Sequence, residues 1–324
     1  MFHISTQRKY WTFKDDQELV LLRTEANEKC INSIAGNMTD EERSRHFLTA
    51  QEERLLCRHF EFVMKEFCGK FQPPMPKCVV GTAINFMKRF YVNNSVMDYH
   101  PRDIMLTCVY LACKVEEFYV PIGQFVGNLK GNREKFADIV LGFELLLMQR
   151  LHYHLTIHNM YRPLEGLFID LKTRYPQMGD PEKLRRYAED FIDKSLGTDV
   201  SLLFAPSQVA LAALLSSASR EQIIMDSYVT EVLLAGASQE ELRKTITLIK
   251  KIKMMVKNQD TLQRDVVQLI QRKLEKCRNQ ENNPESEVYK RKMEEMFEDE
   301  DEMRSQKRAR IDEETRVADS ELLV

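Results

Sequence analysis

A lysine followed closely by two glutamates is the first feature of this sequence that is suited to chemistry. Lys114 stands beside an apolar helical stripe that begins near Pro101, and Glu116 and Glu117 follow it at once. At the rim of a groove and next to carboxylates, such a lysine would hold a polar group of a partner. On an open surface it would be an ordinary lysine whose stem lies along apolar side chains. These residues alone leave both interpretations open.

Three histidines form the second candidate, at positions 152, 154 and 158. His154 and His158 are four residues apart and share a helix face, a spacing that metal ligands often use. No cysteine or carboxylate lies close to them in sequence, which favours cap or core histidines over a zinc site. The sequence also lacks a phosphate-binding glycine loop, a G-x-S-x-G turn and an H-E-x-x-H pair. We therefore predict a protein that is not an enzyme, with no catalytic residue, no metal and no cofactor.

Composition limits the remaining function classes. The chain has 324 residues, enough for about two domains, and its net charge of −3 provides no basic field for direct binding of nucleic acid. No apolar run is long enough to span a membrane, and the polar N-terminus does not resemble a secretory signal. The seven cysteines are scattered and never spaced C-x-x-C, as in a reduced, intracellular protein. Only 11 glycines and 10 prolines occur, which favours an all-α fold.

Helical spacing of apolar residues predicts two consecutive sets of five helices. The first set opens at a capping box, Thr49-Ala-Gln-Glu52, and the third helix of each set begins with a proline, Pro101 and Pro206. Equal helix number and order favour a diverged internal repeat. The predicted domains are an N-terminal helix (from about Thr12 to Asn32) with a linker over 1–48, a first repeat over 49–158, a second repeat over 159–258, a C-terminal helix over 259–281 and a charged disordered tail over 282–324.

The tail contains two basic clusters, and their spacing resembles a bipartite nuclear import signal. An acidic run over 298–302 separates the clusters, so a solvated tail of mixed charge explains them almost as well. Ser5 and Ser305 stand near basic residues and are candidate phosphorylation sites. The residues of the import candidate are Lys290, Arg291, Lys292, Lys307, Arg308 and Arg310.

Arg89, Lys114 and Glu144 fall in the second, third and fifth predicted helices of the first set. Together with the segments around them, they resemble the cyclin family. The segments that carry the resemblance are Asn85–Phe90, Leu111–Glu117 and Phe143–Leu151. Within the family, other stretches resemble the regulatory subunit of the CDK-activating kinase. These are the opening Tyr10-Trp11-Thr-Phe, the Tyr99-His-Pro-Arg stretch, the run from Tyr161 to Pro176 and the charged tail.

The resemblance implies two tandem five-helix cyclin repeats and a regulatory, non-catalytic role. The implied partners are a cyclin-dependent kinase, a RING-finger assembly factor and the core of general transcription factor H. The implied outcome is phosphorylation of kinase activation loops and of the RNA polymerase II tail, in the nucleus.

The resemblance also implies which residues bind the kinase. In cyclins, the residues matching Lys114 and Glu144 bond to each other and to backbone near the kinase's C helix. The apolar contact would then come from Leu111, Val115, Phe118, Met148, Leu151 and Leu155, and Arg89 would be structural.

One cyclin feature is missing, and two other cyclin-fold classes compete with this interpretation. The M-R-x-x-L patch by which cell-cycle cyclins dock substrates is replaced by Glu53-Arg-Leu-Leu-Cys57. A double cyclin-fold transcription factor would need a basic DNA-binding face and usually a zinc ribbon, neither of which the sequence shows. Another transcriptional cyclin is disfavoured by the opening around Trp11, the long C-terminal helices and the tail. A plain helical scaffold leaves Arg89, Lys114 and Glu144 unexplained.

Overall fold

The computed structural model describes residues 2–259, 262–295 and 303–308. Throughout these residues the regular secondary structure is helical, which confirms the predicted all-α class. They belong to two compact units, one ending at Cys277 and the other beginning at Arg278.

The first repeat has the five predicted helices in the predicted order. They are α4 (Ala50–Lys70), α5 (Lys77–Phe90), α6 (Pro101–Val115), α7 (Ile122–Gly127) and α8 (Arg133–Arg150). Thr49 and Glu52 form the predicted capping box at the start of α4. Helix α6 is the centre of the repeat, because it packs against α4, α5 and α8 and its side chains from Ile104 to Cys113 are buried.

The second repeat follows the same order around a second proline-initiated helix. It comprises α9 (Tyr161–Arg174), α10 (Arg185–Ser195), the short α11 (Val200–Leu203), α12 (Pro206–Arg220), a π-helix (Tyr228–Leu233) and α13 (Gln239–Lys257). Helix α12 packs against α9, α10 and α13. Ser238 and Glu241 cap the start of α13 with a second capping box. The tandem arrangement confirms the predicted internal repeat.

The N-terminal segment differs from the prediction in two places. A short helix, α1 (Thr6–Tyr10), precedes α2 (Asp16–Ile34), whose cap is Asp15 instead of Thr12. The predicted polar linker contains α3 (Asp40–His46), which begins at a capping box of Thr39 and Glu42. That box is a local helix-start signal which a linker interpretation overlooked, because the residues after it offer no apolar stripe.

After the second repeat, α14 (Arg264–Cys277) lies where the sequence predicts a C-terminal helix, and Val267, Ile270 and Leu274 are buried. Ile270 and Leu274 belong to the apolar stripe that the spacing predicts, whereas Val266 and Leu269 of that stripe are exposed. Two helical segments, 287–295 and 303–308, lie in the tail for which the sequence predicts disorder. The first of them has an ion pair between Lys290 and Glu287, 2.7 Å apart, of the kind that supports exposed helices. Residues 296–302 and 309–324, with Arg310 of the import candidate, lie outside the described residues.

Candidate partner-binding surface

Lys114 and Glu144 form an ion pair at the outer edge of the first repeat. The ammonium nitrogen of Lys114, in the last turn of α6, lies 2.6 and 2.8 Å from the two carboxylate oxygens of Glu144 in α8. It also lies 4.6 Å from the centre of the Tyr110 ring, within range of a cation–π contact. The lysine side chain is 49% exposed and that of the glutamate 14%. Lys114 is therefore held in place by a carboxylate, and its ammonium still faces solvent.

Helix α8 carries apolar side chains on two faces, whereas a surface helix normally has one apolar stripe. The inner face is buried and consists of Ile139, Val140, Phe143 and Leu147. On the outer face Leu141 is 47% and Leu145 is 55% exposed. Glu144 lies on that same outer face. Exposed leucines clustered around a fixed ion pair are typical of a protein-binding surface.

The turn after α6 extends this apolar area. Val115 and Phe118 are partly buried and pack on the core, and the Tyr119 side chain is 88% exposed. We call the area the Lys114–Glu144 surface. It consists of Lys114, Val115, Phe118, Tyr119, Leu141, Glu144, Leu145 and Met148.

Two residues of the apolar contact that the resemblance implies lie beneath this surface. Leu111 and Leu151 are 3% and 0% exposed, so in the free protein they support the surface from below. Met148 and Leu155 are partly buried at the edge of the core. Sequence reasoning missed Leu141, Leu145 and Tyr119. The signal for the two leucines was present, since they are four residues apart and outside the buried stripe of α8.

Arg89 lies inside the molecule, as its structural assignment implies, and is 1% exposed. Its guanidinium donates a hydrogen bond to the carbonyl of His154 at 3.1 Å and lies 5.1 Å from the ring centre of Trp11. Burial lowers the pKa of Arg89 to about 9. This side chain therefore links α5 to the N-terminal segment and to the segment that joins the two repeats.

The histidines contact the N-terminal segment. The indole N–H of Trp11 donates to Nδ1 of His154 at 3.1 Å, and the Tyr10 ring stacks on His154 with centroids 4.8 Å apart. The backbone N–H of His158 donates to Gln7 at 2.7 Å. In the described part of the chain no three His, Cys, Asp or Glu side chains are arranged to hold a metal ion. Nor is any helix there long and apolar enough to cross a membrane.

A buried network of charges was not foreseen from the sequence. Glu61 of α4 accepts hydrogen bonds from Arg54 at 2.9 Å and from Lys88 of α5 at 2.8 Å. Asp199, just before α11, pairs with Arg54 at 3.0 Å and with Arg23 of α2 at 2.8 Å. Burial opposes ionisation of Asp199, yet the two arginines hold its pKa well below the usual range. The network connects α2 and both repeats, and partners so distant in sequence leave no local signal.

Two family models match the chain, and together they cover most of it. The cyclin N-terminal domain matches residues 37–156, and the cyclin C-terminal domain matches residues 159–257. The chain belongs to the cyclin family. This cyclin is 44% identical over 284 residues to the cyclin-H of Xenopus laevis, which covers 87% of this chain and 88% of that protein. The similarity confirms the prediction of a regulatory cyclin of the H type.

Solved structures show the same fold. A chain of the yeast TFIIK (Kin28/Ccl1/Tfb3) complex is 27% identical, with a TM-score of 0.61 over 78% of this cyclin and 99% of that chain. A chain of the Chaetomium thermophilum CAK complex bound to ATP-gamma-S is 24% identical. It gives a TM-score of 0.74 over 92% of this cyclin and 94% of that chain.

Proposed function

We propose that this cyclin binds and activates a cyclin-dependent kinase as the regulatory subunit of a CDK-activating kinase, with the Lys114–Glu144 surface as the contact. The observation that carries the assignment of the surface is the ion pair itself. It is fixed by two short contacts and surrounded by apolar side chains that remain exposed. Support for the partner comes from the similarity to cyclin-H and to a chain of the yeast Kin28/Ccl1/Tfb3 complex.

The mechanism follows from the states of the kinase. An active kinase needs the glutamate of its C helix turned inward to pair with the β3 lysine. A rigid surface that binds only this inward state increases its population. Helices α6 and α8 provide such a surface, because both are anchored in the core of the first repeat. The exposed apolar side chains supply the contact area. Lys114 and Glu144 bind polar backbone groups of the kinase and so fix the position in which it docks on this surface.

The proposal extends to the assembly and its location. A RING-finger assembly factor and the core of general transcription factor H are the further partners, and the substrates are kinase activation loops and the RNA polymerase II tail.

Nuclear import would use the basic clusters of the tail. In the described tail Lys290, Arg291, Lys292, Lys307 and Arg308 are exposed, as import receptors require. Ser305 is exposed on the same segment as Lys307, and Ser5 caps α1, so both remain candidates for phosphorylation.

The test is phosphorylation of a polymerase-tail peptide by the isolated kinase subunit. The kinase is assayed alone, with this cyclin, and with the variant Lys114→Ala, Glu144→Ala. We expect strong activation by the cyclin and a loss of at least about tenfold in apparent affinity for the variant, because truncating charged groups at a desolvated interface typically costs about 2–5 kcal/mol.

A matched variant controls for general loss of surface charge. Asp190→Ala, Lys194→Ala removes an exposed ion pair of similar length, 2.7 Å, on the second repeat, and should activate as the unchanged protein does. A third variant, Leu141→Asp, Leu145→Asp, should abolish activation without unfolding the protein, because both leucines are exposed. Full activation by a correctly folded Lys114→Ala, Glu144→Ala variant would show that the contact lies elsewhere. No activation by the unchanged cyclin would refute the activator role.

A further inference from the structure

Helix α13 concentrates positive charge in a protein whose net charge is −3. Between Leu242 and Lys257 the sequence contains six basic residues and no acidic residue. One face of the helix is buried in the second repeat through Ile249, Ile252 and Val256. The opposite face is exposed and contains Arg243, Ile246, Lys250, Met254 and Lys257. We call these five residues the α13 outer face.

The ion pairs of α13 separate five of its six cations into two groups, and the sixth, Lys253, is partly buried. Lys244 and Lys251 lie to the side of the helix and pair with Glu240 at 2.6 Å and with Asp16 at 3.3 Å. Arg243, Lys250 and Lys257 form no ion pair with any residue of the ranges 2–259, 262–295 and 303–308. The cations of the outer face are therefore available to a partner.

The spacing of these side chains is regular. Arg243, Lys250 and Lys257 follow one another at intervals of seven residues, or about 10 Å along the helix axis. Two exposed apolar side chains lie between them, Ile246 at 45% and Met254 at 61%. A seven-residue repeat of charge with apolar side chains between is the pattern by which one helix recognises another. The outer face extends over about 21 Å from Arg243 to Lys257.

We propose that the α13 outer face binds an acidic amphipathic helix of a partner protein, with acidic residues seven positions apart and apolar residues between them. Charge complementarity identifies the occupant as acidic, and the exposed isoleucine and methionine identify it as partly apolar. Phosphate backbones of nucleic acid would leave these two side chains without a contact. A membrane-bound helix would need a continuous apolar face, and the apolar stripe of α13 is buried within the repeat.

The test measures binding of a fluorescent helical peptide to the full-length cyclin by anisotropy. The peptide carries glutamate at every seventh position and leucines between, and its control has the same composition in scrambled order. We expect the patterned peptide to bind more tightly than the scrambled one. The variant Arg243→Glu, Lys250→Glu, Lys257→Glu should weaken that binding by about tenfold or more, and added salt should weaken it too.

A matched variant reverses three exposed cations elsewhere on the second repeat, Lys183→Glu, Arg186→Glu, Arg220→Glu. It has the same net charge as the first variant and should change the affinity by less than about twofold. The single change Met254→Asp should weaken binding without altering any native charge pair. Equal binding of both peptides, or equal loss in both triple variants, would overturn the proposal. So would tighter binding of a 20-nucleotide DNA or of phosphatidylserine vesicles that depends on the same three cations.

Discussion

Glu53 of α4 is a carboxyl group in an environment that disfavours its charge. The residue is 7% exposed, and its carboxylate accepts a hydrogen bond from the Ser95 hydroxyl. Burial raises the pKa of Glu53 to about 7, and the nearby Asp98 carboxylate acts in the same direction, whereas hydrogen bonds from Ser95 and Asn27 oppose it. The folded protein therefore favours the protonated form of this glutamate.

Glu53 makes the stability of the folded protein depend on pH. Since the folded pKa of Glu53 lies above its ordinary value of 4.5, the folded state binds the proton more tightly than the unfolded state. Protonated Glu53 therefore stabilises the folded protein most below about pH 4.5, and this stabilisation is lost as the pH rises to about 7. We expect Glu53→Gln, which keeps the site neutral, to remove up to about 3 kcal/mol of this pH dependence. Urea unfolding of both proteins at pH 5 and pH 8 measures the difference, and parallel pH dependences would contradict the prediction.

At the scale of an element, the N-terminal segment is attached by aromatic and histidine contacts. Trp11 is 2% exposed, and its indole N–H bond needs an unprotonated Nδ1 on His154. Burial lowers the pKa of His154, and His152 and Arg89 add to the effect through their charges. The contact of Trp11 with the segment joining the repeats therefore depends on a neutral imidazole.

This dependence predicts a release at acid pH. Because the folded pKa of His154 lies below its ordinary value of 6.5, the contact is fully stable above that pH and weakens as the pH falls further. Trp11 is the only tryptophan of the chain, so its fluorescence should shift to longer wavelength as the pH falls below 6.5. In His154→Gln, which keeps an acceptor but does not titrate, the shift should be absent. An identical shift in that variant would assign the transition to another group.

At the scale of the molecule, the Asp199 network holds α2 and the two repeats together. Asp199 is the point of connection, with Arg23 from α2 and Arg54 from α4 on its two oxygens. Lys88, whose side chain is 0% exposed, adds charge to the same region through Glu61. Such buried pairs add little net stability compared with apolar packing, but removal of one partner leaves a costly unpaired charge.

We therefore expect Asp199→Ala to destabilise the protein by about 3–5 kcal/mol. Asp190→Ala is the matched control, because its pair with Lys194 is exposed and should contribute less than about 1 kcal/mol. Denaturant unfolding monitored by Trp11 fluorescence and by helix content measures both. A loss below about 1 kcal/mol for Asp199→Ala would show that the network is not what couples the repeats.

The sequence by itself determined the helices and their order. Capping boxes at Thr49 and Ser238, the initial prolines of α6 and α12 and the apolar stripes of α4 to α8 are local signals, since each involves residues within a turn or two of one another. Arg89, Lys114 and Glu144 indicate the family by their types and their places in the predicted helices, without knowledge of their contacts. Thr39 and Glu42 carried a signal of the same kind, and only the lack of an apolar stripe concealed α3.

Tertiary structure alone decided which side chains are available and which charges meet. Leu111 and Leu141 are both apolar helical residues, yet one is buried and the other exposed, because burial depends on the neighbouring helices. Asp199 meets Arg23 across 176 positions of the chain, and no periodicity within one segment encodes such a contact. The cations of α13 likewise divide into paired and unpaired groups only when Asp16 of α2 is placed beside Lys251. Local order is set by short-range hydrogen bonds and spacing, whereas binding surfaces are set by the packing of distant segments.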